Sequence, residues 1–175
     1  MANMHQVRFA LGKIEDLTTP SSTQKYPLGA TVTLEDTSKK SVKKFMYVKS
    51  HGALTQYVPY IITRSSTAGS EVITAAPFTL AAPGQLVCVP QVAFTSGYYG
   101  WVQIQGDCVA ITTDETSEIG DFLQVLNAGV AFVVDGTSGS TTHSVNSSAV
   151  MLDADYASGG NDVLLIGEKA VTAGS

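Results

Sequence analysis

Ten residues constrain this chain more than any others: Gly97-Tyr98-Tyr99-Gly100-Trp101-Val102-Gln103-Ile104-Gln105-Gly106. They hold the only tryptophan of the sequence, and after it they alternate cleanly. On a strand, Trp101, Gln103 and Gln105 share one face while Val102 and Ile104 share the other. Gly97 and Gly100 suit a tight turn that needs positive φ or close backbone approach. Cys108-Val109-Ala110-Ile111 reads as the same strand continued beyond a bulge or turn at Gly106. The stretch is the centre of a β-domain, not a catalytic loop.

The rest of the chain keeps that character. Thr31-Val32-Thr33-Leu34 alternates with Val32 and Leu34 inward, Glu35 to Lys40 turns, and Lys43 to Lys49 returns around Phe45-Met46-Tyr47-Val48, which predicts a β-hairpin. Ser50 to Gln56 is a loop or a single helical turn. Strands are expected at Tyr57–Ile62 (with Pro59 making its start irregular), Val72–Thr74, Val87–Val89, Val92–Phe94, Phe122–Leu126, Ala131–Val134 and Val163–Gly167. Arg64 to Ser70, Pro77 to Pro83, Asp114 to Asp121 and Gly136 to Ser148 read as loops, and Met151-Leu152 precedes the last strand. No amphipathic helix of ten residues and no internal repeat emerges. Short strands separated by turn chemistry predict an all-β sandwich or small barrel of antiparallel strands. The domain spans 26–175, with 113–175 readable as a separate acidic lobe. Residues 1–25, with the loop-like Thr18-Thr19-Pro20-Ser21-Ser22-Thr23, form a lead-in: a flexible end, or an extended arm that orders on a neighbour.

A length of 175 residues suits one such domain, and a charged fraction of 14% leaves much of its surface neutral. The charge is polarised. Residues 1–106 carry nine Lys/Arg against five Asp/Glu, whereas residues 107–175 carry one against ten. That asymmetry suits head-to-tail or subunit-to-lattice contact, or is simply an acidic surface late in the chain. No apolar run approaches the roughly 20 residues of a membrane helix, and no basic-then-apolar leader opens the sequence. Synthesis in a cytoplasm and no membrane partner are expected. Cys88 and Cys108 lack metal or redox spacing and read as buried free thiols, with a bridge as the alternative.

Chemistry is sparse. His5, His51 and His143 have no partner at metal-ligand spacing. There is no nucleophile elbow, no phosphate-binding glycine loop and no dinucleotide fingerprint. Asp153-Ala154-Asp155 with Gly159-Gly160-Asn161-Asp162 departs from a calcium loop, since Ala157 and Ser158 stand where a ligand and a glycine belong. Asn146-Ser147-Ser148 matches a glycosylation triplet without a secretion signal. No catalytic residue, metal or cofactor is assigned, and no enzyme activity is expected. Lys39, Lys40, Lys43 and Lys44 cluster at one hairpin tip. Without arginine or interleaved aromatics they read as a solvated tip or a protein contact rather than a nucleic-acid site. Tyr98, Tyr99 and Trp101 offer either a core and subunit contact or a sugar-stacking platform.

Three pieces, in order and spacing, carry a resemblance: Tyr26-Pro27-Leu28-Gly29-Ala30; Phe45-Met46-Tyr47-Val48-Lys49 with Ala53-Leu54; and Gly97-Tyr98-Tyr99-Gly100-Trp101-Val102-Gln103 with Gly106. Together they cover about residues 24–112. The set resembles small structural proteins of tailed-bacteriophage virions, most often assigned to capsid decoration (cement) or head stabilisation. The resemblance implies an outer-capsid protein, synthesised in the host cytoplasm, that bridges major capsid subunits, typically as a homotrimer. Candidate contact residues are then Thr18, Pro20, Lys39, Lys40, Lys43, Lys44, Tyr98, Tyr99 and Trp101. The alternative is a tail- or fibre-associated module that binds host glycan. Residues 113–175 carry no part of the match.

Overall fold

The computed structural model describes residues 4–6, 17–67, 70–76, 86–113, 117–125, 131–134, 148–153 and 160–167. The described strands are Met4–Gln6 (β1), Thr31–Asp36 (β2), Ser41–Ser50 (β3), Tyr60–Thr67 (β4), Ser70–Ala76 (β5), Leu86–Cys88 (β6), Tyr99–Ala110 (β7), Phe122–Val125 (β8), Phe132–Val134 (β9), Ala149–Met151 (β10) and Asn161–Leu165 (β11). They join in the order β6-β4-β5-β3-β7-β11-β10-β8-β9, with β2 on β3 and β1 on β2. The fold is all-β, as the alternation and turn spacing predict, and no helix occurs among the described residues.

β7 is shared by two parts of this sheet. Tyr99 to Gln105 pairs with β3, and Gly106 to Ala110 pairs with β11. Isolated bridges bring both ends of the sheet back to this strand or the residues just after it: Val89↔Gln103 on one side and Thr112↔Phe132 on the other. The sheet therefore curls into a half-barrel around buried side chains. Met46, Val48, Leu54, Ile62, Phe94, Val102 and Ile104 form one apolar cluster. Cys108, Leu123, Phe132, Met151, Val163 and Leu165 form a second. On the opposite face of β2 and β3, Val32, Leu34, Phe45, Tyr47 and Trp101 form a third, covered by Leu17, Tyr26 and Leu28. Residues 107–113 and β8 to β11 thus continue the sheet through β7 and β11.

The change of partner along β7 has a local cause. Phe45 pairs with Gln103 but Lys44 pairs with Gln105, so β7 carries one extra residue. The buried Gln103 side chain spans this irregularity, donating from Nε2 to the carbonyls of Gln105 at 3.2 Å, Gly106 at 3.2 Å and Asp107 at 2.8 Å. Gly106 follows at φ +89°, and a Cβ there would collide with the carbonyl oxygen of Val42. Only glycine meets both demands, the positive φ and the close passage of β3.

A pseudo-twofold relation appears where no repeat was expected. Tyr60↔Cys88, Ile61↔Val87 and Ile62↔Leu86 join β4 to β6. Moving each residue by forty positions turns these pairs into Gly100↔Val48, Trp101↔Tyr47 and Val102↔Met46, which join β7 to β3. The connecting loops match as well. Leu54 and Phe94 exchange both backbone hydrogen bonds, at 3.0 and 2.9 Å, and Thr55 and Thr95 accept equivalent turn bonds from Val58 and Tyr98. Tyr57 and Gly97 occupy the same position with φ +67° and +78°. The sequence trace is thin, Ala53-Leu54-Thr55 against Ala93-Phe94-Thr95. Where Tyr60 has a ring its counterpart Gly100 has none, and the Phe94 ring fills that space, 2.7 Å from where a Cβ would stand.

Two expectations change. Val92–Phe94 is not a strand: beyond Pro90 the chain makes the clasped loop, and Phe94 contributes a single bridge to Leu54. Arg64 to Ser70 belongs largely to the β4–β5 hairpin, paired from Ile61↔Ala76 to Thr67↔Ser70. Hydroxyl side chains suit such a ladder, and Thr63 and Thr74 join Oγ1 to Oγ1 at 2.8 Å. Residues 77–85, 135–147 and 154–159, with the Pro77 to Pro83 stretch, His143, Asn146 and Asp155, lie outside the described residues.

The two glycines separate conformational from steric cost. Gly97→Ala meets no atom within 4 Å, so it should cost about 1–2 kcal/mol for its left-handed backbone. Gly106→Ala adds the collision with β3 and should cost on the order of 3 kcal/mol or more. Urea denaturation of both variants checks this; equal losses would contradict the close passage at Gly106.

Candidate contact surfaces

The expected contact residues fall in two places. Thr18, Pro20, Tyr98, Tyr99 and Trp101 lie where the lead-in crosses β7. Ser21 pairs with Tyr99 through reciprocal backbone hydrogen bonds of 2.9 and 2.8 Å, so the lead-in is hydrogen-bonded to the body here as well as through β1 on β2. Thr18 is exposed, while Pro20, Tyr98 and Tyr99 are half-buried. Lys49 holds its ammonium 5.5 Å from the centroid of the Tyr99 ring.

Trp101 is only 4% exposed. Its ring lies 5.2 Å from that of Tyr47 and 5.4 Å from that of Tyr26, and Tyr26 meets Tyr47 edge-on at 5.2 Å. The Tyr47 hydroxyl accepts from the Lys25 backbone N–H at 3.0 Å. This triad fastens residues 17–30 to the hairpin and β7. Trp101 therefore serves the core, and a stacking surface for sugar would have to come from Tyr98 and Tyr99.

The four lysines have separate surroundings. Lys39 donates to Asp162 at 2.6 Å and ties the β2–β3 turn to β11. Lys43 donates to Asp36 at 2.9 Å. Lys40 is exposed at φ +51°, and Lys44 is half-buried. Asp36 also accepts from Ser38 Oγ at 2.7 Å and from the backbone N–H groups of Ser38 and Lys39. The Ser38 hydrogen bond, with the Lys43 ammonium next, holds the Asp36 carboxyl well below the usual carboxylate range. Its partner carboxylate, Asp162, with Asp107 and Asp36 further off, raises Lys39.

No protein-family model, curated protein or solved structure matches the chain.

Cys88 and Cys108 are buried free thiols in different apolar clusters, and burial pushes both well above the ordinary thiol range. His51 is exposed, and His5 lies on β1. Among the described residues no three His, Cys, Asp or Glu side chains are grouped to hold a metal ion, and no helix is long and apolar enough to cross a membrane.

One surface escapes the sequence. On β10 and β11 the residues Ala149, Met151, Val163 and Leu165 point inward, leaving Val150, Leu152, Leu164 and Ile166 on the outer face. Val150 and Leu164 are direct register partners. Leu152, Leu164 and Ile166 are 40%, 38% and 40% exposed. The run Val163-Leu164-Leu165-Ile166 reads as a strand buried on both faces, and only its pairing register separates the two sets.

The Asp36 cluster predicts an acid limb of stability. A carboxyl whose pKa is lowered by folding stabilises above its unfolded value, about 3.9, and loses that contribution as pH falls through its folded value. Asp36→Asn should lower stability at neutral pH and flatten the decline below about pH 4. An unchanged slope in acid denaturation curves would contradict this role.

Proposed function

We propose that this chain is a bacteriophage virion structural protein that decorates the capsid exterior and bridges major capsid subunits as a homo-oligomer, with a trimer favoured. It works by shared surface rather than by catalysis. The observation that carries the reading is the anchoring of residues 17–30. Two of the three resembling pieces, around Tyr26 and Trp101, meet the third at Tyr47 in one aromatic triad. The residues that carry the resemblance are thus residues on which this fold depends. Met4–Gln6 of the lead-in pair with β2 of the same chain, and the same extended segment could add instead to the equivalent edge of a neighbour. Many copies on a repeated lattice need only modest affinity each. Binding restricted to the expanded shell would stabilise that state by linkage. The glycan-binding alternative loses its strongest stacking residue to the core.

Mixed with expanded empty capsids, the purified protein should co-sediment to a saturating stoichiometry and raise the temperature of capsid disruption. Deleting residues 2–16 removes β1 from the β2 edge but keeps Leu17, Ser21 and Tyr26; it should weaken binding while leaving Trp101 fluorescence native-like. Absence of co-sedimentation by the full chain would overturn the reading; undiminished binding by the deletion variant would remove residues 2–16 from it.

A further inference from the structure

β1 is the only described segment ahead of Leu17, and its one strand neighbour is β2. The pairing is antiparallel and short: Met4↔Asp36, His5↔Glu35 and Gln6↔Leu34. It engages only Leu34 to Asp36 of the six β2 residues. The next described anchorage is Leu17 on the third cluster, then Ser21 on Tyr99. Ten residues of sequence separate Gln6 from Leu17. A tether of that length spans up to about 33–36 Å when extended, several times the distance between neighbouring strands and enough to reach an adjoining molecule.

A terminal strand held by so few pairs opens locally at little cost, so β1 can leave its edge while the three clusters stay folded. The edge it leaves is a row of unpaired backbone donors and acceptors, which captures a strand of suitable direction and register. One segment is seen to fit that edge, β1 itself, and every copy of the chain carries it. A second copy's Met4–Gln6 would make the same pairs in the same register. The copy that donates its strand then has an empty edge with which to receive one.

We propose that β1 is an exchangeable strand: where copies adjoin, Met4–Gln6 of one pair with Leu34–Asp36 of the next. Exchange of an identical element keeps every native pair, so its cost is that of association. In an isolated molecule the tether holds β1 at an effective concentration of about millimolar, and the edge is closed by its own strand. Copies held side by side reach a comparable local concentration, and the same pairs then link them. Each copy gives one strand and takes one, so the exchange closes as a reciprocal pair or a ring. The β2 edge is thus a binding site for a second copy, and β1 is both its cover and its ligand. The exchange needs no capsid, so it can fail while the decoration reading stands, and the reverse.

The test places one cysteine on each side of the register. His5→Cys and Glu35→Cys are direct partners across β1 and β2, and the native Cys88 and Cys108 are buried. The two purified single variants are mixed over a concentration series and treated with a short bis-maleimide, and products are identified by mass. Exchange predicts a covalent heterodimer whose yield rises with concentration and falls when excess wild type competes. His5→Cys mixed with Glu118→Cys, an exposed position in the turn before β8, should give none. A Glu35→Cys chain that also lacks residues 2–16 has an empty edge and should capture His5→Cys at lower concentration. The double variant His5→Cys/Glu35→Cys should cross-link within one chain when dilute and between chains when concentrated. Native Trp101 fluorescence checks the fold of each variant. Cross-linking confined to single chains at every concentration, or an empty edge that captures nothing, would overturn the proposal. So would a double variant that cross-links neither way, since β1 would then not occupy the edge.

Discussion

The backbone at Gly106 is the constraint on which the architecture depends. β7 has to leave β3 and take up β11 within one continuous strand, and the extra residue before Gly106 makes that exchange possible. An extra residue bends a strand and increases its twist, the deformation a curling sheet needs. The freed carbonyls are not left to water. Gln103 takes three of them with one buried amide, so its polarity is satisfied inside the fold. Val102 and Ile104 then point into one apolar cluster, Cys108 and Ala110 into the next, and Trp101 into the third.

Around this strand the chain uses one solution twice. β3 with its loop and β4, and β6 with its loop and β7, clasp each other through Leu54 and Phe94 and exchange strand partners across a pseudo-twofold axis. The symmetry is broken where the two copies have different tasks. Gly100 admits the Phe94 ring at a position where Tyr60 instead turns its hydroxyl to the Thr55 backbone at 2.8 Å. The third cluster, by contrast, depends on residues before β2, so the segment that fastens the lead-in also completes the core. This couples the proposed contact region to the stability of the whole sheet.

Much of the fold is legible in the residues, for physical reasons that also mark the limit. Alternation at Trp101 to Gln105 assigns two faces correctly because one face meets the first cluster and the other the aromatic triad and the bulge. Val32 and Leu34 are inward as expected, and Gly106 carries its irregularity in its residue type. The loops at Ser50 to Tyr57 and Pro90 to Gly97 hide their kinship because backbone hydrogen bonds, which leave little trace in side chains, hold them alike. Polar Thr and Ser in β4 and β5 resemble loop composition, yet their backbones pair in register. Among candidate contact residues, type alone cannot separate Lys40, which is exposed, from Lys39 and Lys43, whose partners are far away in sequence or across a turn. The β10–β11 face is hidden for the same reason, since burial on one side of Val163 to Ile166 follows from register rather than composition.

Because all three apolar clusters take residues from β7, they should unfold as one cooperative unit. Each contains a native reporter: Trp101 in the hairpin cluster, Cys88 in the first and Cys108 in the second. A single denaturant titration read by tryptophan fluorescence and by mass-resolved thiol labelling follows all three. One cooperative transition requires coincident midpoints for Trp101, Cys88 and Cys108. Labelling of Cys108 at lower denaturant than Cys88, with Trp101 still native, would show that the two sides of Gly106 unfold separately and would contradict it.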